Sequence, residues 1–227
     1  MGIEQIYEEI RDRVGAQAAV SAPRTTAAPG IDVLPLRTPT LPPATHTGCY
    51  LAGDAREVIA IDPASPWPDE QDRLTAALPP ARVVLIALTH HHGDHVGAAT
   101  ELARRTGAPI AAHPATAARL AGRVAVTRPL LDGEVLEAGG VRLRVLHTPG
   151  HAPGHLVFRD EATGATVAGD LVAGLGTILI DPGAGEGHMA TYLASLERLL
   201  ALGTGALLPA HGPIIADGPA KLREYLA

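Results

Sequence analysis

The chain has 227 residues and a formal charge of −6; 46% of its residues are hydrophobic, 19% charged and 3% aromatic. This is the composition of a soluble globular protein able to bury a sizeable core, one filled by Ala, Val, Leu and Ile rather than by rings. The acidic balance gives no electrostatic reason to expect nucleic acid or an anionic membrane, no apolar run is long enough to cross a bilayer, and the single cysteine, Cys49, excludes an intrachain disulfide and any cysteine-based metal site.

The N-terminal "MGIEQIYEEIRDRV" is charged and helix-patterned, without the apolar core of a signal peptide, so a cytoplasmic protein is expected. Residues 3–19 read as an amphipathic helix. A Pro/Thr/Ala-rich stretch runs from there to about residue 45, with extended loops at 22–30 and 37–48 around the short strand "IDVLPL". We therefore divide the chain into an N-terminal helix and linker, 1–30, and one domain, 31–227.

Within that domain "CYLAG" and "EVIAID" form a strand pair across a turn at Gly53-Asp54. A helix over 69–78 leads into a fully buried strand, 82–88. Helices at about 96–105 and 114–121 bracket the strand "PIAAH". Two hairpins follow, 135–148 turning at Gly139-Gly140 and 155–170 turning near Thr163-Gly164, and a helix over 189–202 precedes the last strand, 206–210. This mixture of strands and helices suits two sheets packed face to face with helices outside, not a doubly wound fold.

The stretch "THHHGDHVG" (89–97) places four histidines and an aspartate directly after the buried strand. In extended backbone His90 and His92 point the same way and His91 the other. Asp94 and His95 follow a glycine where the chain turns into a helix starting near Val96. Imidazole and carboxylate together suit zinc or a similar borderline metal. Further donors stand at other strand ends: His151 in "HTPGHAPGH", Asp170 in "TVAGD" and His211 in "LLPAHG".

This set resembles the metallo-β-lactamase superfamily. The signature H-x-H-x-D-H is complete in His90, His92, Asp94 and His95, and the later His, Asp and His motifs occur in order as His151, Asp170 and His211. The resemblance runs from about residue 33 to 213. It implies an α/β fold, the αββα sandwich of two mixed sheets flanked by helices. It also implies that His90, His92 and His151 hold one zinc ion, that Asp94, His95 and His211 hold a second, and that Asp170 bridges both. A hydroxide shared by the metals would be the nucleophile, with Asp94 or a metal-bound water as the catalytic proton carrier. His/Asp sites also accept iron or manganese.

Other residues carry alternative readings. His155 is a candidate support for a ligand. "GLGTIL" (174–179), with Gly176 and Thr177, lies just past the bridging position and is a candidate substrate-binding loop, as is His188. His91 reads as a rim or packing residue, His147 as structural and His113 as a loop cap. The arginines at 104, 105, 119, 123 and 128 read as a solvated face, and are also the one local basic density that could meet RNA phosphates.

The intact ligand set separates this chain from flavodiiron proteins and from mononuclear persulfide dioxygenases. The 40 residues between Asp170 and His211 leave no room for the β-CASP insertion, and with 16 residues after His211 the C-terminal domain of glyoxalase II is not expected. What remains resembles the lactamase-β-like branch of single-strand endoribonucleases and acyl-carrier thioesterases, some of which continue into a further helical segment. We expect a dinuclear zinc hydrolase of an ester or thioester of acyl-CoA, acyl-carrier or glutathione type. Scarce aromatics disfavour RNA, which stays the alternative substrate. A metal-binding interaction protein without turnover is the remaining class.

Overall fold

The computed structural model describes residues 22–79 and 82–227; the helix expected over 3–19 lies outside them. Seven strands form one sheet in sequence order: β1 (Thr25–Ala28), β2 (Ile31–Arg37), β3 (His46–Gly53), β4 (Glu57–Ile61), β5 (Arg82–Ala87), β6 (Ile110–Ala112) and β7 (Arg128–Pro129). Pairing is antiparallel from β1 to β4 and parallel from β4 to β7. The second sheet has the order β12-β11-β10-β9-β8, built from β8 (Val135–Ala138), β9 (Val141–His147), β10 (Leu156–Asp160), β11 (Thr166–Gly169) and β12 (Leu207–Pro209). It is antiparallel except between β11 and β12. Both sheets are mixed, as expected.

Aliphatic side chains fill the space between the sheets, among them Ile31, Ile59, Ile61, Leu143 and Leu156, together with Phe158, the one phenylalanine. The outer face of the first sheet is covered by helices α1 (Pro68–Ala77), α3 (Ala99–Thr106) and α4 (Pro114–Leu120), through Leu74, Leu102 and Leu120. Helices α5 (Met189–Ala201) and α6 (Gly218–Leu226) cover the second through Tyr192, Leu196, Leu199 and Leu222. Three apolar layers between four layers of structure make the αββα sandwich.

Local chemistry explains the helix ends. Pro68 opens α1 with Asp69 and Glu70 in its first turn, where carboxylates favour the positive end of the helix. Asp217 accepts the Ala220 N–H to cap α6. Among the described residues, no helix is long and apolar enough to cross a membrane.

Two expectations need correction. Residues 25–28, expected as loop, form β1: their Thr/Ala run pairs with β2 as a largely exposed edge strand, so no buried apolar alternation marks it. The helix expected over 96–105 is split into α2 (Gly93–Val96) and α3. The break falls at Gly97, where a Cβ would stand 2.5 Å from Pro66 N and 2.6 Å from Ala64 O. Backbone packed that closely admits only glycine and prevents a straight helix.

The topology puts several strand ends on one rim. Strands β4 and β5 are parallel and lead into Asp62 and into His90–His95. In the second sheet β9, β11 and β12 share a direction and lead into His151, Asp170 and His211. Backbone hydrogen bonds from Leu156 N to Thr89 O (2.8 Å) and from Gly48 N to Ala210 O (2.8 Å) tie the sheets together there.

Candidate metal centre

His90, His92, His151 and Asp170 meet in one cluster, and Asp94, His95 and His211 in a second. In the first, His92 Nδ1 lies 2.9 Å from His90 Nε2 and 3.0 Å from His151 Nε2, and the two Nε2 atoms are 3.3 Å apart. Donors about 2.0–2.1 Å from one tetrahedral ion would be separated by roughly 3.3–3.4 Å, so this spacing suits a coordination shell. In the second, His211 Nε2 is 3.5 Å from Asp94 Oδ2.

Asp170 faces both clusters. Its Oδ2 lies 3.5 Å from His151 Nε2 and 3.9 Å from His90 Nε2, while its Oδ1 lies 3.4 Å from both His95 Nε2 and His211 Nε2. Each half of the cluster therefore meets a different oxygen of one carboxylate. His95 Nε2 and Asp170 Oδ1 are buried without a hydrogen-bond partner. Buried polar atoms normally find partners, and a cation between them would satisfy both.

The surrounding contacts fix the imidazole tautomers. His151 Nδ1 donates to Leu179 O at 2.8 Å and His211 Nδ1 to His46 O at 3.0 Å. His95 Nδ1 donates to Asp62 Oδ2 at 2.8 Å. The Thr89 hydroxyl donates to the same oxygen at 2.6 Å, which leaves it to accept the His90 Nδ1–H at 3.0 Å. Four rings thus turn an Nε2 lone pair toward the centre, the orientation metal binding requires.

Electrostatics divides the centre. Burial pushes His90 well below its ordinary pKa, with the neighbouring His95 adding to the effect, and lowers His92 to about 3. For His95 and His211 burial is again the largest effect and acts the same way, but the carboxylates of Asp170 and Asp94, joined by Asp62 at His95, together outweigh it and raise both. Burial disfavours the Asp170 charge, yet His95 and His211 hold its carboxyl well below the usual carboxylate range. A dry, ionised carboxylate between neutral and cation-favouring imidazoles is a place where a metal ion would be stabilised.

The other candidates fall in distinct places. His155 lies behind the centre: it accepts the Asp170 N–H at Nε2 (3.1 Å), and its Nδ1 pairs with Thr148 Oγ1 at 2.9 Å. Gly169 permits this approach, since a Cβ there would stand 2.8 Å from His155 Nε2. Gly176, at φ +82°, packs beside Pro43, and Thr177 is exposed. His188 is exposed and caps α5, its Nδ1 accepting the Thr191 N–H at 3.2 Å, so that nitrogen is engaged by the helix. The sequence places 90–92 at the end of a strand, but β5 stops at Ala87 and the three histidines lie in the loop beyond it. His91 turns away to Glu186, 3.0 Å between Nε2 and Oε2. His113 caps α4 and stacks on His147, with ring centroids 4.1 Å apart.

Four of the five arginines of that face are engaged by carboxylates. Arg104 and Arg105 both pair with Glu101, Arg119 with Glu186 and Arg128 with Glu134, while Arg123 donates to Arg119 O. Three supporting residues escaped the sequence reading. Asp62 and Thr89 orient His95 and His90; Glu186 fastens the loop after Asp170 to α4 and His91. Asp62 ends an apolar strand, like the recognised donors, which was the available clue. Glu186 stands in a Gly-rich loop with no pattern around it.

Comparison with known proteins gives a family match: the metallo-beta-lactamase superfamily model covers residues 43–211. An atrochrysone carboxyl ACP thioesterase of Aspergillus terreus is 31% identical over 185 residues, which span 79% of this chain and 53% of that protein. The chain thus spans about half the length of the first curated relatives it matches. Among solved structures, the metallo-beta-lactamase family protein TTHA1429 of Thermus thermophilus is 29% identical with a TM-score of 0.74, covering 88% of this chain and 79% of that one. TTHA1623, solved in a di-iron-bound form, is 32% identical with a TM-score of 0.61, covering 79% and 94%.

Proposed function

The chain belongs to the metallo-beta-lactamase superfamily, and from that premise we propose that it is a dinuclear metal-dependent hydrolase of an acyl thioester. The observation that carries this reading is the split of Asp170, one oxygen toward His90 and His151 and the other toward His95 and His211. His90, His92 and His151 are assigned to one ion, Asp94, His95 and His211 to the other, and Asp170 to both. Zinc is the ion we assign; the same donors suit iron or manganese.

Two such ions, when bound, polarise a carbonyl oxygen and make water a nucleophile near neutral pH. The protein's own residues do the rest. Asp62 and Thr89 hold His95 and His90 in the donor tautomer, and His155 holds the backbone of Asp170. Asp94, at the edge of the cluster, carries a proton between the attacking water and the leaving thiol. The loop after Asp170 is clamped by Glu186 to Arg119 and by Leu179 O to His151, and borders the place where substrate enters.

A thioester is favoured over RNA because four of the five arginines of that face are already paired with carboxylates, and because similar proteins are named as carrier-protein thioesterases. The acyl group would be delivered on an acyl carrier or coenzyme A. A single buried free cysteine fits a reducing compartment, and we assign the protein to the cytoplasm. The test is thiol release from acyl-CoA by the zinc-loaded protein. Release should be abolished by chelation, restored by zinc, and fall at least about 100-fold in Asp94→Ala. A rate insensitive to both would overturn the reading.

A further inference from the structure

A concavity adjoins the metal centre. It has a volume of about 390 Å³ and lies between Val33, Pro35 and Tyr50 of the first sheet and Leu175, Pro213 and Ile214 of the loops. Among the described residues, no Asp, Glu, Lys or Arg lines it. The Tyr50 hydroxyl is turned into the fold, donating to Pro209 O at 2.7 Å, so the ring presents carbon to the cavity. Leu175 and Ile214 are 46% and 37% exposed, large apolar side chains left in water on loops that carry proposed metal ligands.

The cavity and the centre share a wall. Ala210 and Gly212, on either side of His211, line the cavity. His46 lines it as well, and its carbonyl oxygen accepts the His211 Nδ1–H at 3.0 Å. Leu175 follows Asp170 by five residues, and its N–H donates to His211 O at 3.2 Å. Two of the proposed ligands are therefore continuous in chain with its lining.

We propose that this cavity receives the acyl group of the substrate, an apolar chain or ring carried as a thioester; the assignment rests on the hydrolase reading above. A mostly apolar lining with no Lys or Arg among its described residues offers no ion pair to a phosphate, whereas each methylene it takes from water improves binding about fourfold. At about 30 Å³ for a water-sized group, the space takes roughly a dozen, enough for an octanoyl chain. The loops after Asp170 and His211 would then select the acyl group through Leu175 and Ile214, while the metal centre acts on the carbonyl at its end.

The zinc-loaded full chain is compared with Ile214→Asp, which places a charge at the mouth, and with Ala44→Phe, which fills the interior from another wall. Calorimetric titration with octanoate should show binding to the wild type, weakened at least about tenfold in both variants. The octanoyl-CoA to acetyl-CoA ratio of kcat/KM should fall by a similar factor. Octanoate bound equally by all three proteins, or not by the wild type, would overturn the assignment. A wild type that binds octanoate in a variant-sensitive way but hydrolyses neither thioester would instead overturn the thioesterase reading, leaving an apolar-chain site.

Discussion

Asp62→Asn tests how the centre is held. Asp62 occupies left-handed backbone, with φ 50°. Asn tolerates that region as Asp does, so the exchange keeps the turn and removes only the charge and one acceptor. In the wild type Oδ1 accepts the Thr89 N–H at 2.8 Å, and Oδ2 accepts the Thr89 hydroxyl at 2.6 Å and the His95 Nδ1–H at 2.8 Å. An amide has one acceptor oxygen. With its carbonyl kept on the Thr89 N–H, its NH2 faces His95 Nδ1. The ring must then accept there and carry its proton on Nε2, the nitrogen 3.4 Å from Asp170 Oδ1. A lone pair is lost from the metal side. Changes of this kind weaken metal binding 10–100-fold, about 1.4–2.7 kcal/mol. The assay is competition for zinc against a chromophoric chelator, which resolves the two ions by affinity. The affinity of the site that holds Asp94, His95 and His211 should fall 10–100-fold; two affinities equal to those of the wild type would refute the reasoning.

Asp170→Asn removes the charge shared by both clusters, and native mass spectrometry should show fewer than two ions per chain at zinc concentrations that fill the wild type. Gly169→Ala forces a Cβ to 2.8 Å from His155 Nε2 and 2.9 Å from Thr89 Cβ at φ +50°; a loss of more than about 1 kcal/mol is expected, a fall in Tm of at least roughly 2–4 °C. Phe158→Ala empties the space between the sheets and should cost about 3–5 kcal/mol in denaturant unfolding. The Glu101 carboxyl, bonded by Arg104 and Arg105, titrates at about 2 against 4.5 when free. Its folded pKa is depressed, so its contribution is complete above 4.5 and is lost as pH falls through about 2. A carboxyl carbon shift of Glu101 that titrates near 4.5 would contradict the pairing.

Much of this site was legible in the sequence because its donors are local signals: a His/Asp cluster and single residues placed just after apolar strands. Periodicity located the strands, and the order of motifs located the rim. What could not be read depends on distant pairing. Asp62 reaches His95 only because β4 and β5 lie side by side across 33 residues of sequence. The break at Gly97 is imposed by the backbone of residues 64–66, not by helix propensity. Strand β1 carries no apolar alternation, since its residues are exposed or half-buried at a sheet edge. Glu186 gains its role from Arg119 and His91, 67 and 95 residues earlier.

The most direct test of a dinuclear centre is the number of ions per chain, measured by inductively coupled plasma mass spectrometry after equilibrium dialysis against zinc. Two ions per chain in the wild type, with fewer in Asp170→Asn, is the expected result. One ion or none in the wild type, or an identical count in both proteins, would contradict the assignment of Asp170 as the shared ligand.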